Sequence, residues 1–144
     1  MEQTKRVPRW AESKIGYGAG GARYAGRHIV ADFWFGKQIE TAKELRQLLR
    51  ASAKAGRATV LKLATHSFSP QGFTGVVLLS ESHIAVHTWP EIGYVAVDVF
   101  TCGKESRPMR ALRYMQEYLN PDRVVMREMK RGALRQKTSG LVLS

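Results

Sequence analysis

The sequence predicts an α+β fold, a two-layer sandwich in which an antiparallel β-sheet carries two helices on one face. Three observations predict it. The elements legible along the chain run β-α-β-β-β-β-α-β, with mostly consecutive strands. The two helical segments are amphipathic, so each has one apolar face to bury. The chain has 144 residues, 44% of them hydrophobic, which is one domain's worth and enough to bury about two thirds of the unfolded surface in a single core.

The first 27 residues are rich in Gly, Arg and Tyr without hydrophobic periodicity, and are expected to form a basic flexible arm. The folded domain is expected over 28–129, with a basic tail over 130–144. His28 to Phe35 (HIVADFWF) has strand composition. Glu40 to Ala55 places Ala42, Leu45, Leu48, Leu49 and Ala53 at helical spacing, turns Lys43, Arg46 and Arg50 outward, and meets a stop at Gly56. Ala58 to Thr65 is a second strand, followed by a loop, Ser67 to Gly72, marked by Ser, Pro and Gly. Thr74 to Leu79 and Ile84 to Thr88 are two β-rich runs flanking Ser80-Glu81-Ser82-His83, which has the length of a hairpin turn. Trp89-Pro90-Glu91 breaks the chain, and Tyr94 to Thr101 is a further strand. Pro108 to Leu119 is the second amphipathic helix, through Met109, Leu112, Met115 and Leu119, and Arg123 to Met129 is the last strand.

The single Cys excludes a disulfide scaffold, and the absence of Cys clusters excludes an all-cysteine zinc site. No apolar run approaches the roughly 18 residues of a membrane span, and Met1 to Gly20 lacks the apolar centre of a signal peptide, so the expected compartment is the cytosol. The net charge of +11 invites a nucleic-acid reading. Its distribution argues against one: the excess is +5 over residues 1–50, zero over 51–100 and +6 over 101–144. The neutral middle does not act through a basic patch.

That middle concentrates the reactive side chains: His66, Ser69, Thr74, Ser80, Glu81, Ser82, His83, His87, Glu91, Asp98 and Cys102. Each alone has an ordinary structural role, as turn residue, solvated imidazole or small core thiol. Their order is more specific. Phe68-Ser69-Pro70-Gln71-Gly72, then Glu81-Ser82-His83-Ile84-Ala85-Val86-His87-Thr88-Trp89-Pro90-Glu91, then Asp98-Val99-Phe100-Thr101-Cys102-Gly103 closely resembles the short prokaryotic S-adenosylmethionine decarboxylase proenzymes. The resemblance covers about residues 26 to 129.

The resemblance implies a pyruvoyl-dependent enzyme that cuts itself between Glu81 and Ser82. Ser82 attacks the Glu81 carbonyl, an ester replaces the amide, and elimination and hydrolysis leave a pyruvoyl group at 82; neither a metal nor pyridoxal phosphate is expected. It makes His87 the base in processing and Thr74, where the family commonly has Ser, the hydroxyl that stabilises the intermediate. In turnover the pyruvoyl ketone holds the substrate amine as a Schiff base and Cys102 returns a proton to the substrate carbon; a thiol with an ordinary pKa near 8.5 suits that role. Phe68 matches a position that stacks the adenine, Glu91 one that binds the ribose hydroxyls, and Trp34 is a candidate second aromatic face, although Trp34-Phe35 replaces the usual small residue there. Trp89 is expected to be structural. A pyruvoyl arginine decarboxylase on the same scaffold is the nearest alternative, and a basic nucleic-acid-binding domain a more distant one.

Strand geometry adds a constraint of its own. With Ser82 in a turn and His83 to Thr88 extended at about 3.3 Å per residue, Ser82 and His87 lie on the order of 16 Å apart and on opposite faces. A neighbouring protomer can supply His87, Thr74 and Phe68, which implies a symmetric dimer, a larger sandwich with two shared active sites.

Overall fold

The computed structural model describes residues 16–17 and 23–133. Its elements, in chain order, are β1 (Gly16–Tyr17), β2 (Arg23–Tyr24), β3 (Gly26–Trp34), α1 (Ala42–Ala55), β4 (Val60–Ser67), β5 (Phe73–Leu79), β6 (Ser82–Trp89), a 3-10 turn (Pro90–Ile92), β7 (Tyr94–Cys102), α2 (Pro108–Leu119) and β8 (Arg123–Arg131). Six strands form one sheet in the order β4-β5-β6-β7-β3-β8, and every neighbouring pair is antiparallel. The first long strand therefore lies between β7 and β8, in the interior of the sheet. None of the described helices is long and apolar enough to cross a membrane.

Local chemistry sets the helix bounds. The Thr41 hydroxyl accepts the Glu44 N–H at 3.0 Å, which satisfies one orphan donor of α1, and the Glu44 carboxylate reaches back to the Glu40 N–H, just ahead of the cap, at 3.0 Å. Helix α2 opens on Pro108, whose missing N–H costs nothing in the first turn, and closes on Asn120 in the left-handed region at φ 43°.

Both helices cover the same sheet face. Ile29, Phe33, Val77, Leu79, Ile84, Val86, Val97 and Val99 meet Leu45, Leu48, Leu49, Ala53, Leu112, Met115 and Leu119 in one buried cluster. Gly75 permits the close approach of α1: a Cβ there would lie 2.8 Å from both Leu45 Cδ2 and Leu49 Cδ1. Among the described residues, no helix covers the opposite face. Val30, Val76, Leu78, Trp89, Val125 and Met129 lie exposed on it.

The expected α+β sandwich with two helices on one face is present, with differences at its edges. The first long strand starts at Gly26, two residues ahead of His28, and Gly16–Tyr17 pairs with Arg23–Tyr24 inside the segment expected to be a flexible arm. The remaining arm residues, 1–15 and 18–22, and 134–144 of the tail lie outside the described residues. The last strand runs on to Arg131 because Gly26 and Arg27 extend its ladder. The four-residue turn expected at 80–83 is a two-residue loop, Ser80-Glu81, because Leu79 pairs directly with Ser82.

Leu49 is fully buried beneath the sheet. Leu49→Ala should lower unfolding stability by about 2–5 kcal/mol, measured by urea denaturation.

Candidate active site

The loop Ser80-Glu81 joins β5 to β6 and demands a tight reversal, for which two-residue hairpins favour residues that tolerate positive φ. Glu81 occupies the left-handed region at φ 58°, a conformation that costs a residue with a side chain about 1–2 kcal/mol. The peptide linking Glu81 to Ser82 thus starts from a strained residue. Two contacts from one residue hold it. Cys102, the last residue of β7, donates its backbone N–H to Ser82 Oγ at 3.0 Å and its thiol to the Glu81 carbonyl oxygen at 3.0 Å.

Ser82 itself is buried and ladder-paired, and only the peptide before it lies in the turn. This corrects the expectation that the serine sits in an exposed turn. Burial suits the chemistry, because an attack of Ser82 Oγ on the preceding carbonyl closes a five-membered ring using atoms already adjacent. In such an attack the thiol would face the oxygen on which negative charge develops, where a hydrogen-bond donor lowers the barrier. An open pocket beside this pair is lined by Arg57, Ser80, Ser82, Cys102, Lys104 and Glu105 among others.

A second cluster occupies the other end of the same strands. Thr74 and His87 are cross-strand partners, and Thr74 Oγ1 shares a 2.9 Å hydrogen bond with His87 Nδ1. Phe68, just past β4, lies exposed with its ring edge-on to His66 at 4.7 Å. Glu91 stands on the 3-10 turn with Gln71 Nε2 at 3.5 Å from its carboxylate. Phe68, Thr74, His87, Trp89 and Glu91 share the wall of one open pocket. The structure therefore brings together Phe68, Thr74, His87 and Glu91, brings together Glu81, Ser82 and Cys102, and keeps the two groups apart. His87 lies five residue steps along β6 from Ser82, about 16 Å in an extended chain.

Trp34 joins neither group. Its ring stacks on Tyr94 at 4.6 Å, Tyr94 stacks on Trp89 at 5.1 Å, and the Arg123 guanidinium lies 5.0 Å from the Trp34 centroid. Burial, then a 2.5 Å hydrogen bond donated to Asp32, pushes the Tyr94 hydroxyl up to about 12, so it stays protonated at neutral pH. Trp89, expected to be structural, lines the second pocket as well as ending this stack; its period-two spacing from His87 was the signal in the sequence that both share a face. A third group, His28, His83 and Asp98, meets on the uncovered face between the two clusters. Sequence reasoning singled out His83 and Asp98 without a role, and did not single out His28.

The sequence profile of the S-adenosylmethionine decarboxylase family matches residues 27–132. The chain is 46% identical over 114 residues to an S-adenosylmethionine decarboxylase proenzyme of Caldicellulosiruptor saccharolyticus, covering 77% of this chain and 91% of that one. It is 41% identical over 111 residues to the proenzyme of Methanococcus maripaludis, covering 76% of this chain and 91% of that one. Among solved structures it is similar to the adenosylmethionine decarboxylase of Aquifex aeolicus, at 38% identity and a TM-score of 0.72, covering 80% of this chain and 97% of that one.

If the Cys102 thiol polarises the Glu81 carbonyl, Cys102→Ala should slow scission of the 81–82 bond by roughly tenfold, the value of one hydrogen bond of about 1.4 kcal/mol. Cys102→Ser should restore part of the loss. The rate is read as the decay of full-length chain on a denaturing gel, and a rate equal to wild type in Cys102→Ala would remove this role.

Proposed function

The chain belongs to the S-adenosylmethionine decarboxylase family, and from that premise we infer that it is a carboxy-lyase that removes carbon dioxide from S-adenosylmethionine after cutting itself between Glu81 and Ser82. The observation that carries the self-cleaving part is the double contact of Cys102. One residue holds the nucleophile Ser82 Oγ and the electrophile Glu81 C=O at 3.0 Å each, on a peptide that begins from a strained φ.

The proposed processing balances within the chain. Ser82 Oγ adds to the Glu81 carbonyl carbon and loses its proton to a base; the C–N bond breaks and leaves an ester with a free amine at 82. Removal of the Ser82 α-proton then expels the Glu81 carboxylate and leaves dehydroalanine, and water converts this to a pyruvoyl group with release of ammonia. The residues fit that product, since Cys102, which contacts both Ser82 Oγ and the Glu81 carbonyl oxygen in the uncut chain, stands beside residue 82, whose own carbons become the pyruvoyl group. The pyruvoyl ketone supplies an electron sink for the pair left when the carboxylate departs.

The base is the element that one protomer does not bring to Ser82. His87 stands on the opposite face of β6 and at its other end, against Thr74. We assign it to Ser82 of a neighbouring copy, in a dimer of cleaved pairs with two shared sites. The uncovered sheet face supports this assembly, because Val30, Val76, Leu78, Val125 and Met129 leave an apolar surface that a second sheet would bury. In such a dimer the partner subunit's His87, Thr74, Phe68 and Glu91 complete the site around Ser82 and Cys102.

Each remaining residue has a defined task. Phe68 offers an exposed aromatic face to the adenine and sulfonium, and Trp89 adds a second ring in the same pocket. Trp34 acts at one remove, by stacking in the row that fixes Trp89. Glu91 is placed for the ribose hydroxyls. Cys102 returns a proton to the substrate carbon after carbon dioxide leaves. The arginine-decarboxylase alternative is not favoured: an aromatic pocket with one carboxylate suits an adenosyl sulfonium better than a guanidinium bearing no ring.

Wild-type protein should give two fragments of 81 and 63 residues, about 9 and 7 kDa of the 16.2 kDa chain, the smaller with a blocked amino terminus. Ser82→Ala should remain full length and release no carbon dioxide from carboxyl-labelled S-adenosylmethionine, because no hydroxyl remains to attack. A wild-type chain that stays uncut on long incubation, or an active Ser82→Ala, would remove the proposal.

A further inference from the structure

On the uncovered sheet face, three side chains from three adjacent strands converge. His83 on β6 and His28 on β3 are both cross-strand partners of Phe100 on β7, and Asp98 stands two residues before Phe100 on the same face. Both imidazoles aim Nε2 at one carboxylate oxygen, Asp98 Oδ1, at 2.7 Å from His28 and 3.0 Å from His83. The rings pack on Phe100, with centroids 5.4 and 5.9 Å away, and meet each other edge to face at 6.2 Å. The backbone ladder on both sides of β7 fixes the spacing, so the cluster is held before any ligand arrives.

We propose that His28, His83 and Asp98 form a site for one divalent transition ion of borderline softness, represented by Zn2+. The three donor atoms all lie within 4.8 Å of one another. A tetrahedral Zn2+ with ligands at about 2.0–2.1 Å sets nitrogen and oxygen roughly 3.3 Å apart, so the imidazoles retreat from Asp98 by about half an ångström, within the reach of small side-chain rotations. Two imidazoles and one carboxylate favour zinc, nickel or copper over magnesium or calcium, which take oxygen ligands. The fourth position faces away from the sheet and takes water or a donor from a second subunit.

Among the described residues, Arg131 is placed to compete with the ion. Arg131 Nη1 lies 3.5 Å from His28 Nδ1, and its guanidinium lies 5.1 Å from the Phe100 centroid. Loading moves the His28 proton from Nε2 to Nδ1, where it confronts that cation, so the exposed Arg131 side chain must turn aside. The site lies outside the chemistry assigned to Ser82. Its consequence rests on the cleavage reading in one respect: His28 falls in the first fragment and His83 and Asp98 in the second, so a bound ion cross-links the two pieces through coordinate bonds.

Full-length-gene protein stripped with chelator is titrated with Zn2+ by calorimetry. One ion per chain should bind, at least tenfold more weakly in Asp98→Asn and His83→Ala, more tightly in Arg131→Ala and unchanged in His66→Ala. Uncut Ser82→Ala should bind with the same stoichiometry, which keeps this test separate from that of self-cleavage. Because a cluster variant can fail to fold, imidazole 15N spectra of the wild type provide a second reading: of the four imidazoles, the Nε2 signals of His28 and His83 should move on saturation. Absence of uptake, uptake that Asp98→Asn leaves intact, or movement confined to His66 and His87 would overturn the proposal.

Discussion

The ladder that joins β5, β6 and β7 in antiparallel register constrains everything else in this protein. An extended strand advances about 3.3 Å per residue and alternates its faces, so residues five apart can share neither a face nor a contact. Ser82 pairs with Leu79 at one end of β6, and His87 pairs with Thr74 at the other. The same ladder brings Cys102, at the end of β7, onto the reacting peptide. It brings Glu81, Ser82 and Cys102 together within one chain, and it holds His87 away from them. Under the proposed assignment of His87, a lone protomer holds the strained peptide without cutting it.

The two described helices complete this arrangement by covering one face, and among the described residues no helix covers the other. Leu45 and Leu49 seat on Gly75 and close a core that contains none of the residues on the other side, His28, Thr74, Val76, His87 and Asp98. That division lets the bare face act as a surface for assembly and ligands. The stacked row of Trp34, Tyr94 and Trp89, with Tyr94 hydrogen-bonded to Asp32, stiffens the end of the sheet where the aromatic pocket lies.

Much of this was legible in the residues, for reasons that differ by element. Pro108 and Asn120 bound α2 by local backbone chemistry, and the expected span matches the observed one. Thr41 and Gly56 do the same for α1, which starts at Ala42, the first residue of its apolar period and two residues after the expected start at Glu40, because Thr41 is the cap and not a helical residue. Strand ends were less legible, since pairing depends on a neighbour: Val60–Ser67 is displaced by two residues from the expected run, and Ser82 is in the ladder and not in the turn. The insertion of β3 between β7 and β8 had no local signal. Nor had the meeting of His28 with Asp98, 70 residues away along the chain. The site residues came from the order of a motif, and the separation of Ser82 from His87 came from strand geometry alone, which the register then reproduced.

The central claim is that the ladder forces the base to come from a second subunit, and mixed dimers test it most directly. Ser82→Ala and His87→Ala chains each form homodimers in which every site lacks one of the two groups, so neither should process efficiently. A mixed dimer made by co-refolding has one site lacking both groups and one site joining an intact Ser82 to the partner subunit's His87. Supply between subunits predicts that cleavage returns in the mixture, and only in the His87→Ala chain, which carries the serine. Mixed dimers verified by native mass measurement that stay entirely uncut would contradict the shared site, because a histidine serving its own serine cannot be rescued by mixing.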